Sequence, residues 1–135
     1  MMNRRIQRRG FTLIELLLVM VILAVLAGVA VPTYMGYAKS SKINAAKATI
    51  SMVKQSLQNF EVEYDRFPSN EEGLSALVSQ PAGLPNWHPF MEKNPVDPWG
   101  NPIQYKVNDD GSYNLYSFGP DQQDGTPDDI TKDSL

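Results

Sequence analysis

Between Phe11 and Val31 the chain carries twenty-one residues whose only clearly polar side chains are Thr12 and Glu15. No other stretch restricts the fold as much. As a helix rising about 1.5 Å per residue, the run matches the ~30 Å hydrocarbon core of a bilayer. Four of the twelve basic residues, Arg4, Arg5, Arg8 and Arg9, precede it with no acid among them. By the positive-inside rule they keep the N-terminus cytoplasmic and place the body outside the inner membrane. Glu15 is the anomaly. A carboxylate at the centre of a span costs ~2.5–3.5 kcal/mol, and less near an end where it reaches the interface. Three readings stand at this point. A cleaved signal peptide fits the basic start and the small-x-small triplet Gly28-Val29-Ala30, but its apolar core is long and contains an acid. A plain anchor fits the length and leaves Glu15 without a role. The third is a span whose carboxylate has a partner.

Gly10-Phe11-Thr12-Leu13-Ile14-Glu15, behind a basic leader and ahead of the apolar run, resembles the class III signal of type IV pilins and their relatives. The resemblance implies that a membrane-embedded aspartyl peptidase cuts between Gly10 and Phe11 and methylates the new amine of Phe11. Residues 1–10 are then a removed leader, 11–33 a transmembrane and polymerising segment, and 34–135 a periplasmic body. Pro32 also matches the family. The same resemblance makes Glu15 an assembly residue, paired with the Phe11 amine of a neighbouring subunit. The electrostatics agree. In an apolar filament core each charge alone carries a penalty, and pairing cancels much of both while setting the axial register.

Beyond Tyr34 the helical period persists while the polarity changes. Ile43, Ala46, Ile50, Val53, Leu57, Phe60 and Tyr64 trace one apolar stripe, with Lys39, Lys42, Lys47, Lys54 and Gln58 elsewhere on the surface. A helix from Phe11 to Tyr64 would run roughly 80 Å. Its first half is apolar all round and needs lipid or copies of itself; its second half lies on a core. Pro32, with Gly28 and Gly36 nearby, predicts a kink or local melting.

Asp65-Arg66-Phe67-Pro68 ends the helix, and Ser69-Asn70-Glu71-Glu72 reads as a capping box opening a short helix through Val78. From Gln80 to Pro102 six prolines and two glycines predict an ordered loop, plugged onto the helix by Trp87, Phe90 and Trp99. The lone His88, beside a Pro in this loop, is not taken as a ligand or catalyst. Ile103, Tyr105 and Val107 alternate, as do Tyr113, Leu115 and Ser117, around Asn108-Asp109-Asp110-Gly111, which predicts a β-hairpin. The fold class is α+β: one long helix against a small antiparallel sheet.

The body narrows the family. Phe67-Pro68-Ser69-Asn70-Glu71-Glu72-Gly73-Leu74-Ser75-Ala76-Leu77, Asp97-Pro98-Trp99-Gly100-Asn101-Pro102-Ile103-Gln104-Tyr105 and Tyr113-Asn114-Leu115-Tyr116-Ser117-Phe118-Gly119-Pro120-Asp121 resemble, in order, segments of the major pseudopilins of type II secretion. That resemblance implies a homopolymer in the periplasm, processed by the prepilin peptidase and methyltransferase. It would work with minor pseudopilins and an inner-membrane assembly platform to drive folded proteins across the outer membrane. Two other readings are a type IV pilin for adhesion, motility or DNA uptake, and a membrane-anchored binding module. The chain has no cysteine, whereas many type IV pilins close a C-terminal loop with a disulfide.

In the tail, Asp121, Asp124, Asp128 and Asp129 fall within nine residues, in a glycine-containing loop. Hard cations such as Ca²⁺ take six to eight oxygens from carboxylates and carbonyls. The spacing is not that of an EF-hand, and composition alone fits a solvated acidic turn. The resemblance implies one Ca²⁺, with side-chain oxygens from Asp121 and Asp129, carbonyls from Leu115 and Ser117, and Asp124 and Asp128 as further candidates. The interval between the matching Asp residues is shorter here than in many members. From Phe11 onward fifteen acids face eight basic residues, which argues against nucleic-acid binding. The acids have no His, Cys or basic partner nearby to separate their pKa values, so no catalytic site is expected.

Overall fold

The stripe read from the sequence is the one that is buried. A computed structural model describes residues 10–135, the side chains of 31–33 excepted, and its first element is α1, Leu13–Tyr64. Ala46, Ile50, Val53, Leu57 and Phe60 are fully buried, while Ile43 and Tyr64 at the ends of the stripe are partly so. The leader expected at 1–10 lies, Gly10 apart, outside the described residues, as does the side chain of Pro32. The helical backbone is continuous through residue 32, so the expected local melting is not seen.

Two compact units divide the chain, residues 1–38 and 39–135. In the first, the described part of the helix exposes Leu13, Leu17, Leu23 and Leu26 by half or more, and its most apolar window buries nothing. The second holds the core. There α1 stops where Asp65 takes the left-handed conformation, φ +54°, and Pro68 follows.

The capping box forms: the Ser69 N–H donates to Glu72 Oε2 at 2.7 Å and the Glu72 N–H to Ser69 Oγ at 3.2 Å. What it opens is a single 3₁₀ stretch, Gly73–Leu77, rather than an α-helix. The reason is local. Gly73 sits at φ +58°, outside the right-handed region an α-helix would need. The stretch still seats Ala76 and Leu77 in the core.

The proline-rich segment is an ordered loop, as expected. The N–H groups of Phe90 and Met91 both donate to the Leu77 carbonyl at 2.9 Å. Phe90 packs on Phe60 and Tyr64 of α1, at ring separations of 5.5 and 6.1 Å. Trp87 packs against the core too, but its indole N–H goes to the Ala76 carbonyl of the 3₁₀ stretch.

The hairpin follows: β1, Gln104–Val107, pairs antiparallel with β2, Tyr113–Ser117, with Tyr105 opposite Leu115. Its turn is held by the Asn108 N–H to the Ser112 carbonyl at 2.8 Å and by Gly111 at φ +82°. A third strand not foreseen from the sequence, β3, Ile130–Thr131, pairs with β2 and makes the order β1-β2-β3. Two residues are too few to show alternation, but Ile130 is buried and seals the core. The result is the expected long helix and small antiparallel sheet.

Candidate assembly and cation sites

At the start of α1 the exposed Phe11 precedes a reciprocal cap. The Thr12 N–H and hydroxyl donate to Glu15 Oε2 at 2.7 and 2.9 Å, and the Glu15 N–H returns to Thr12 Oγ at 3.3 Å. Thr12-x-x-Glu15 is a capping box. Its pattern was present in the sequence but overshadowed by the question of charge in a membrane. Both bonds to the carboxylate use Oε2, so Oε1 takes no part in the cap.

The acidic loop runs from Gly119 to Asp129, between β2 and β3. Gly119 is at φ +70°, and a Cβ there would collide with the carbonyl of Asp128, so only glycine lets the loop close on itself. Asp121 turns back to accept the Gln123 N–H at 3.1 Å. Asp124 accepts the Tyr116 hydroxyl at 3.0 Å; burial and this bond raise the phenol's pKa. Asp129 accepts the Gly125 N–H at 3.0 Å through Oδ2, while its Oδ1 is buried with no hydrogen-bond partner.

The structure therefore sorts the six residues named from the sequence. Leu115, Asp124 and Asp129 line one cavity of about 320 Å³, together with Tyr116, Gly125 and Asp133. Asp121, Asp128 and Ser117 are not in its lining. The Leu115 carbonyl, one of the two expected from the sequence, accepts the Lys132 N–H at 2.9 Å. Among the described residues no three carboxylates converge on a single point.

One residue carries more than its motif suggested. Asp97 is nearly buried, and its Oδ1 accepts the N–H groups of Trp99 at 3.0 Å and Asn101 at 2.8 Å. Its Oδ2 accepts the Ser117 hydroxyl at 2.7 Å, and Ser117 Oγ in turn accepts the Gly119 N–H at 3.1 Å. Asn101 Nδ2 then reaches Gln122 Oε1 at 3.3 Å. The Asp97 turn is thus bonded to both the end of β2 and the start of the acidic loop.

Residues 33–133 match the family model described as type II secretion system, protein G. Residues 5–31 match that of the prokaryotic N-terminal methylation motif. The type II secretion system core protein G of Pseudomonas aeruginosa is 41% identical over 133 residues, covering 94% of this chain and 93% of that protein. Its counterpart from Escherichia coli is 35% identical, covering 93% and 90%. A crystal structure of the major pseudopilin from the type 2 secretion system of enterohaemorrhagic E. coli aligns with a TM-score of 0.64 at 28% identity, covering 75% of this chain and 94% of that one.

Proposed function

This chain belongs to the type II secretion system protein G family, and from that premise we propose how its residues serve the pseudopilus. It is a structural subunit rather than an enzyme, its partners are components of that secretion system, and its apolar helix anchors it in the inner membrane. The observation that carries the reading is the coincidence, on one chain, of the methylation motif and the protein G body. The finer steps are our proposal. The prepilin peptidase cuts between Gly10 and Phe11 and methylates the Phe11 amine. The body from residue 34 onward faces the periplasm, and the subunits polymerise from the membrane, started by minor pseudopilins on the assembly platform. Growth of the filament pushes folded proteins through the outer membrane.

Glu15 has two tasks in this scheme. Its Oε2 holds the helix start through Thr12, and Oε1 is left to accept the Phe11 amine of the next subunit. Glu15→Gln preserves size and the cap acceptor but not the charge. It should leave cleavage intact and sharply reduce filaments and export.

A Ca²⁺ in the acidic loop fits the donor set. A buried, unpartnered carboxylate oxygen, Asp129 Oδ1, is what a hard cation satisfies. Asp129 and Asp124 would hold it with the Leu115 carbonyl, and Asp121, Asp128 and Ser117 are the other oxygens that family resemblance suggests. Bound there, the ion would neutralise neighbouring carboxylates and fasten the loop to β2. For the full chain in detergent, Ca²⁺ should raise the melting temperature, and Asp129→Ala should remove that rise.

The decisive experiment is deletion of this chain from its own cell. Secretion across the outer membrane should stop while export into the periplasm continues. The unaltered gene should restore it, and the purified subunit should begin with N-methylated Phe11. Unimpaired secretion would overturn the reading.

A further inference from the structure

The depth of the apolar helix in the bilayer is set by its two ends, and both lie in the unit 1–38, on one unbroken stretch of α1. At the near end α1 begins at Leu13, and the Thr12–Glu15 cap occupies its first turn. The opening N–H groups of a helix lack partners within it, and neither they nor a carboxylate is tolerated deep in hydrocarbon. The cap therefore belongs at a boundary. From Leu16 to Thr33 no side chain ionises. Those eighteen residues make about 27 Å of helix, close to the ~30 Å of a hydrocarbon core.

At the far end stand Tyr34 and Tyr37, 76% and 74% exposed and so largely uncovered by their own chain. Three positions apart, they are neighbours on one face of the helix. Tyr34 is nineteen positions from Glu15, roughly 28 Å along the axis, so when one is at a boundary the other is at the opposite one. Tyr37 lies about 4.5 Å further on, within a headgroup layer ~5–8 Å deep. A phenol suits that layer, because its ring is apolar and its hydroxyl finds ester carbonyls and water.

We propose that Tyr34 and Tyr37 seat α1 on the phospholipid interface and so set the depth of the whole span, holding the Thr12–Glu15 cap at the opposite interface. The inference rests on the membrane anchoring stated above and not on polymerisation. At this depth Glu15 reaches water rather than hydrocarbon while it waits for a partner. With alanine at both positions, residues 34–38 have no polar side chain. The helix is then free to slide by about a turn, and Glu15 moves further into water.

The test uses the full chain in vesicles of phosphatidylethanolamine and phosphatidylglycerol, without the secretion machinery. Because the chain has no cysteine, Val19→Cys takes a single nitroxide label. Its relative contact with oxygen and with a water-soluble nickel chelate reads its depth. Tyr34→Ala with Tyr37→Ala should move the label about one turn, ~5 Å, toward the nearer surface. Tyr34→Trp with Tyr37→Trp should leave it in place, because Trp occupies the same layer. Met35→Ala, between them and also exposed, should not move it. An unmoved label in the double-alanine variant would overturn the proposal. If that variant also lost filaments in the cell, the rings would be assigned to contacts between copies instead. A shift of equal size from Met35→Ala would overturn it too, since any bulky side chain would then serve. A label at Val25→Cys in the otherwise unaltered chain that meets nickel as freely as one in water would place the helix outside the bilayer. The anchoring reading would then fall with the proposal.

Discussion

The two halves of α1 are one helix with two solvents. Among the described side chains from residue 13 to 38 the large apolar ones stay exposed, Leu17 at 52% and Leu26 at 60%, whereas from residue 46 to 60 the inward positions are covered. The backbone is the same, so the difference is in what lies around it. The second half is stabilised by its own chain, through the 3₁₀ stretch, the sheet and the 90s loop. The first buries its surface only in lipid or against other copies. At ~25 cal/mol per Å² that exposed surface is a large reserve for assembly, and it contributes nothing to folding the isolated body.

The comparison breaks most clearly at Phe60. Phe60→Ala removes a fully buried ring that packs on Tyr64 and Phe90, and should cost about 3–5 kcal/mol. That is much of a small domain's margin. Leu17→Ala should leave the melting of the body unchanged and weaken filaments. Thermal unfolding of both variants in detergent, beside filament yield, checks the contrast. If Leu17→Ala lowers the melting temperature as much as Phe60→Ala, the two halves are not energetically separate. Next in size is Asp97→Ala, which leaves two loop N–H groups and the Ser117 hydroxyl without their acceptor and should cost about 2–4 kcal/mol. It should also weaken any Ca²⁺ response, because the acidic loop starts from the same network.

What the sequence made legible follows the same division. Periodicity is a property of single residues, so the buried stripe of α1 and the hairpin could both be read directly. Asp97, β3 and the Lys47 tether could not. Each depends on a partner that no local pattern reveals: Ser117 for Asp97, β2 for β3, and the Ser134 carbonyl, to which Lys47 Nζ donates, for Lys47. The short helix after α1 forms, but as a 3₁₀ stretch, because a capping box signals where a helical turn begins, not whether Gly73 will turn left-handed. At the acidic loop, composition identified the carboxylates but could not say which share a cavity. Only the fold brings Asp124 and Asp129 together and leaves Asp121 outside that lining.

A pH titration sharpens the comparison at the junction after α1. The Arg66 guanidinium grips Glu72 with both nitrogens, at 2.7 and 2.8 Å, and holds its carboxyl down from 4.5 to about 2. A depressed folded-state pKa means the unfolded chain takes up the proton first. Its stabilisation is therefore complete above about pH 4.5 and is lost as pH falls from 4.5 toward 2. With the guanidinium partly in solvent, about 1–2 kcal/mol is expected. Glu72→Gln should flatten that part of the stability curve, and a wild-type slope in the variant would assign the acid sensitivity elsewhere.

The smallest effect lies at the other end of the helix. Thr12→Val keeps the side-chain shape but removes the hydroxyl that both donates to Glu15 and accepts its N–H. The Thr12 N–H bond to Glu15 Oε2 remains, so the cap is weakened rather than lost, by about 0.5–1 kcal/mol. Amide exchange in detergent should quicken at residues 13–16 and stay unchanged in β1 and β2. The melting temperature should not move, since none of this helix start is in the core. Assembly should respond all the same, because a frayed first turn no longer presents Glu15 at a fixed height to its neighbour. If exchange quickens while filament yield holds, the register is set by the charge pair alone, and the cap serves only the helix.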